Sequence, residues 1–256
     1  MHIAVKSLFA ATLMTMFGSE ASLAETVRCG FEPPSAFNAE AAKPLFAQYF
    51  CTKEGKTCDV RWANASYLMQ RLEADKRIPN KATAAYMMAT TYLETSVDNF
   101  SPATVEDVPK GETKKYGLYI GRGWSQLTHK DKYQNASDKL GLDLVNHPEL
   151  ALVTDNSYEI LVRGMLEGWP EGYRSTPRGG SADNPIRVKL GDFITADKID
   201  YKRARAVINA DCMSKPCHDT QYEDKGYLPE PADLDSALLG EKKALLFEKI
   251  LCAGEN

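Results

Sequence analysis

The chain predicts a mainly α fold in one domain, with a small hairpin near its middle. Three observations carry this. Apolar residues recur three and four positions apart in several long stretches. Convincing alternating strand patterns are scarce, and no tandem repeat or low-complexity tract appears. Residues 25–256 suffice for one large domain with a proper core.

The first segment reads as an export signal. Lys6 precedes an apolar run from Leu8 to Phe17, and Ser22 and Ala24 are small residues at the spacing a signal peptidase reads. Cleavage is expected after Ala24, which leaves residues 25–256 as a single domain. The run of about ten apolar residues is too short for a bilayer, which needs roughly twenty. No later stretch is apolar enough to cross one. The expected product is a soluble, periplasmic or secreted monomer without stable membrane insertion.

Helical spacing then appears at Ala39 to Phe50, Ala65 to Ala74 and Lys81 to Glu94, where Ala84, Ala85, Met88 and Tyr92 share one face. Lys130 to Leu140 reads as a polar helix stopped by Gly141. Pro148 to Trp169 is expected to be a further helix, residues 201–209 a short basic one, and Asp233 to Leu251 the last. Residues 97–116 carry Pro102, Pro109 and Gly111 and read as a long loop, a common place for function. The Gly and Pro cluster at 168–185 reads as a surface loop.

Composition narrows the partners. A formal net charge of -4 gives no electrostatic case for nucleic acid. The six cysteines, Cys29, Cys51, Cys58, Cys212, Cys217 and Cys252, suggest disulfides in an exported chain. Six cysteines allow fifteen pairings, and sequence does not choose among them. Cys51/Cys58 and Cys212/Cys217 are close enough for local loops, which leaves Cys29 with Cys252. No Cys-x-x-Cys pair supports a zinc site.

Glu94 in "AYMMATTYLETS" stands out among the acids. It falls at the C-terminal end of its helix, where the dipole disfavours a negative charge, and beside Tyr92 and Leu93. Both settings favour the protonated form that a general acid requires. Glu106 and Glu112 follow on the loop. Glycoside cleavage commonly uses one carboxylic acid and one carboxylate on opposite sides of the sugar.

Downstream, "YIGRGWSQLTHKDKY" combines glycines with aromatic and hydrogen-bonding side chains. Gly121 and Gly123 allow a sharp bend and close approach to a ligand. Arg122 suits a carboxylate partner. Gln126 and Thr128 offer hydrogen bonds to sugar groups, and Tyr119 and Trp124 offer flat faces for stacking.

These strings, with "LETS…FSPATVE" and "LGLDLVNHPELA", resemble glycoside hydrolase family 19, the chitinases and related endolysins. The likeness covers about residues 82–168, with a weaker echo at 204–209. It implies a lysozyme-like, two-lobed helical fold with a substrate cleft, and an inverting mechanism without metal or cofactor. It places Glu94 as general acid and Glu106 as the residue that activates water. It makes Tyr119, Arg122, Trp124, Gln126, Thr128, Tyr133 and Asn209 the expected substrate-binding set. Three departures stand out. The interval between the acids is short for a plant chitinase, so Glu112 remains a rival base. Lys132 stands where the family usually has asparagine, and Ala210 where it has glycine after Asn209.

The expected substrate is a polysaccharide of β-1,4-linked N-acetylated aminosugars, with peptidoglycan preferred over chitin. A lytic transglycosylase, working with one acid, and a glycan-binding protein without catalysis are the competing readings.

Overall fold

A computed structural model describes residues 29–51, 55–95, 99–106, 117–170, 187–208 and 236–253. The export segment, Glu112, Asn209, Cys212 and Cys217 lie outside the described residues. The architecture is mainly helical, as expected from the apolar spacing.

Helix α1, Ala39–Phe50, begins where the Asn38 side chain accepts a hydrogen bond from the Ala41 N–H at 3.1 Å. It buries Ala42, Phe46 and Phe50. Helix α2 spans Lys56–Ala74. It starts well before the predicted Ala65, because its first turns are largely exposed and polar and carry no apolar stripe. The Cys51–Cys58 disulfide holds that early part against the end of α1.

Helix α3, Lys81–Thr95, differs from its predicted one-sided burial: every residue from Lys81 to Thr91 is buried. Ala82, Thr83, Ala84, Ala85, Ala89, Thr90 and Thr91 are small, so neighbouring helices approach it from all sides. Asn80 caps it by accepting from the Thr83 N–H at 2.9 Å and the Thr83 hydroxyl at 2.8 Å.

Helix α4, Lys130–Leu140, stops at Gly141, whose φ of 67° is the left-handed conformation that favours glycine. The expected helix from Pro148 to Trp169 is divided. A 3-10 turn, Pro148–Leu152, precedes helix α5, Thr154–Glu167, and Val153 between them is extended. Strands β1, Trp169–Pro170, and β2, Arg187–Val188, pair antiparallel and form the small mid-chain sheet. Helix α6, Tyr201–Ala204, continues as a 3-10 turn, Arg205–Val207. Helix α7, Ser236–Leu251, runs along α3 and α1.

Two apolar clusters organise these elements. The larger joins α1, α2, α3, α5, α6 and α7, with Phe50 stacked on Phe247 at 4.4 Å between ring centres. The smaller gathers Leu127, Tyr133, Ala136, Leu144, Ala151 and Ile160 around α4. The segment 124–127 belongs to both, since Trp124 packs in the first cluster and Leu127 in the second.

The two ends of the described chain meet. Cys29 and Cys252 form a disulfide across 223 positions of sequence. Close by, the buried Lys81 ammonium donates to the Leu251 carbonyl at 3.1 Å and the Ser35 hydroxyl at 2.9 Å. It also pairs with the buried Glu73 carboxylate at 3.6 Å.

Two stability outcomes follow from this closure. Converting Cys29 and Cys252 to Ser should cost several kcal/mol, up to about 5, and more than converting Cys51 and Cys58, because the longer loop restrains the unfolded chain more. Urea unfolding of the two double variants measures the difference. Lys81→Met should cost about 3–5 kcal/mol by leaving a buried carboxylate uncompensated, and Lys81→Met combined with Glu73→Gln should recover part of that loss.

Candidate active site

Glu94 sits in the last turn of α3, where the buried helix reaches the surface of the large cluster. Its carboxylate accepts a hydrogen bond from Arg205 Nη1 at 3.0 Å. The helix-end position matches expectation, but the sequence patterns did not mark an ion pair from a residue more than a hundred positions away.

Glu106 is fixed differently, by backbone. The Glu106 N–H donates to the Gly121 carbonyl at 2.9 Å. The Gly121 N–H returns a bond to Glu106 Oε2, also at 2.9 Å. Val105 bridges Arg122, Arg122 bridges Leu127, and the Gly123 N–H reaches the Thr104 carbonyl at 2.9 Å. Residues 104–106 and 121–127 therefore form a narrow zipper with no regular strand.

Glycine is needed twice in it. A Cβ on Gly121 would lie 2.7 Å from Gln126 Oε1 and 3.2 Å from Glu106 Oε2. Gly123 has φ of +74°, and a Cβ there would lie 2.6 Å from Ser157 Oγ and 2.9 Å from the Ala151 carbonyl. The local backbone is strained as well. Asn99, Phe100, Gln126 and His129 all have positive φ without being glycine. Asn99 is held by Arg61 and Asn64 of α2, and Phe100 is fully buried among Phe46, Phe50, Tyr92 and Phe247. The loop leading to Glu106 thus starts from a rigid anchor.

Glu94 and Glu106 line one cleft of about 260 Å³, together with Ser125, Gln126, Leu127, Thr128, His129, Lys132, Arg205 and Ile208. Ser125 Oγ and Arg205 Nε are buried there without a hydrogen-bond partner among the described residues. Buried polar atoms normally have partners, so these two stand out among the atoms around the cleft.

Four expected residues are in this cleft: Glu94, Glu106, Gln126 and Thr128. Gln126 also serves the zipper, its side-chain amide donating to the carbonyls of Gly123 at 2.9 Å and Thr104 at 3.2 Å. Thr128 Oγ1 donates to the Gln126 carbonyl at 2.7 Å.

Four others lie elsewhere. Trp124 is buried in the large cluster, where its indole N–H donates to the Phe100 carbonyl at 2.8 Å and its backbone N–H donates to Ser157 Oγ at 2.8 Å. It is a core residue rather than a stacking platform. Arg122 meets neither acid. Its guanidinium donates to the carbonyls of Leu118 and Ile120 and to the Tyr133 hydroxyl. Its Nη1 is taken up within its own turn and by the Tyr133 hydroxyl, which itself donates to the Ile120 carbonyl. Tyr133 is fully buried, and burial pushes its hydroxyl pKa up. Tyr119 packs on Tyr133 and donates to the Val145 carbonyl at 3.2 Å. Asn209 lies outside the described residues, directly after the cleft residue Ile208.

The arrangement can place an acid and a second carboxylate against one bound polymer, with orphaned polar atoms beside them. Among the described residues no group of His, Cys, Asp or Glu could hold a metal ion. No described helix is long and apolar enough to cross a membrane.

Known proteins give a short likeness. A stretch of 32 residues is 69% identical to chitinase 11 of rice, Oryza sativa subsp. japonica, covering 12% of this chain and 12% of that protein. The chain therefore matches only about an eighth of that protein's length, a chitinase-like relationship over one segment. No protein-family profile matches the chain.

The zipper generates one prediction. Gly121→Ala should push Gln126 and Glu106 apart, with a stability cost of about 1–3 kcal/mol. Any activity that depends on Glu106 should fall about 100-fold, the scale of a misplacement near 1 Å. Thermal unfolding and turnover of the purified variant measure both, and an unchanged rate would show that the zipper does not position a reacting group.

Proposed function

We propose that the protein is an exported glycoside hydrolase that cleaves β-1,4 links of peptidoglycan by single displacement. One observation carries the reading most: a helix-end acid, Glu94, and a backbone-locked acid, Glu106, line one cleft. The short identity to a chitinase supports the same linkage chemistry.

In this mechanism Glu94 gives its proton to the glycosidic oxygen as the bond to the anomeric carbon breaks. Glu106 takes a proton from a water that attacks that carbon from the opposite face. The product has an inverted anomeric centre and a free reducing end. Arg205 stabilises the charge that Glu94 acquires on proton transfer. Glu106 is suited to its role because two bonds to Gly121 hold it, and a catalytic group must be fixed to within roughly 0.5 Å. Chitin is the second reading, favoured by the name of the rice relative.

Digestion of purified peptidoglycan and of chitin oligomers, with mass and anomer analysis, tests this. New reducing ends with inverted anomers are expected, and anhydro sugars would indicate transglycosylation instead. Glu94→Gln should lower the rate by 10²–10⁴-fold, the usual range for one acid–base group, while leaving the fold intact. A rate above about a tenth of the parent's would remove Glu94 from the mechanism. Glu106→Ala should lose most activity and regain part of it with azide on an activated substrate. Glu112→Ala should lose little, and the reverse ranking would move the base to Glu112.

A further inference from the structure

Lys132 lines the cleft beside Glu94 and Glu106, in the first turn of α4. Three physical terms disfavour a cation there. The positive end of the helix dipole repels it. Burial lowers its pKa, with the nearby Asp131 and Glu94 charges acting against that shift. It makes no hydrogen bond or ion pair with any described residue, whereas the other lysines of the interior are engaged, as Lys81 shows. Glu94 lies near enough to act on it through space but is paired with Arg205 instead. The Lys132 ammonium is therefore set in the cleft at a cost that the Asp131 and Glu94 charges offset only in part.

What would offset it is an anion brought by the substrate. Chitin is a neutral polymer of N-acetylated sugars, whereas peptidoglycan carries carboxylates on its peptide stems and on any muramic lactyl group that bears no peptide. We propose that Lys132 is a specificity-determining residue that binds a carboxylate of a peptide-bearing glycan strand in the cleft. This rests on the glycosidase reading for the choice of glycan, and it adds the group by which the cleft would prefer peptidoglycan to chitin. Arg205 is less suited to this role, because its Nη1 is committed to Glu94 and its Nε is buried.

The test compares the parent protein with Lys132→Met and Lys132→Arg on two materials. One is native peptidoglycan, and the other is the same peptidoglycan with its carboxylates converted to amides by carbodiimide coupling. Binding is read by co-sedimentation at low temperature, and turnover by release of reducing ends. Lys132→Met should weaken binding to native peptidoglycan about two- to fivefold, the scale of a charge pair that stays partly solvated. The loss should be much smaller on the blocked material and largely restored in Lys132→Arg. The effect on turnover should appear in KM rather than kcat. The melting temperature of Lys132→Met should not fall, because the lysine is not there for stability. Equal weakening on native and blocked peptidoglycan, no weakening, or a marked loss of melting temperature would each overturn the proposal. Failure of the glycosidase reading looks different: carboxylate-dependent binding through Lys132 would persist while the parent protein released no reducing ends from either material.

Discussion

The ammonium of Lys81 is buried at the first residue of α3, and three separate parts of the chain converge on it. Glu73 comes from α2, Ser35 from the segment before α1, and the Leu251 carbonyl from the end of α7. A buried charge is tolerated only when paired and hydrogen-bonded, so these segments are tied to one another by the need to satisfy it. The adjacent Cys29–Cys252 disulfide closes the same junction covalently. One end of α3 is thereby fixed, and its small side chains let other helices pack closely around it. Among the described residues of this helix, continuous burial ends at Thr91, and Glu94 lies in the partly exposed turn that follows.

Much of this was legible in the sequence, and what was not has identifiable physical causes. Helices α1 and α4 fall where apolar spacing and the stop at Gly141 put them, because both have a clear buried face or terminator. The early turns of α2 left no periodic trace because they are largely exposed. The all-round burial of α3 could not be read from a pattern built of Ala, Thr and Met, which suits one buried face or several. In the site, residue type did not distinguish a structural place from a place in the cleft at Trp124, Tyr119, Tyr133 and Arg122. Aromatic rings and a guanidinium serve a tight turn as well as they serve a sugar, and here they brace the turn from behind. Arg205 and Ser125 carried no local signal, since their roles arise only when distant segments meet. Lys132 was visible only as a departure from a familiar string.

The two acids are held in separate frames, and this bears on how the cleft could work. Glu94 belongs to a helix embedded in the large cluster. Glu106 belongs to a zipper whose far strand leads into the small cluster around α4. The frames are joined at Trp124, which packs with the large cluster, donates its backbone N–H to Ser157 of α5, and donates its indole N–H to the Phe100 carbonyl at the start of the Glu106 loop. A single displacement needs the second carboxylate at a distance that admits one water. Under the proposed mechanism that distance would depend on how the two frames pack together, and Trp124 is buried where they join. An indole that donates to the Phe100 carbonyl and packs in the large cluster is turned away from the cleft, and Trp124 is not among the residues that line it.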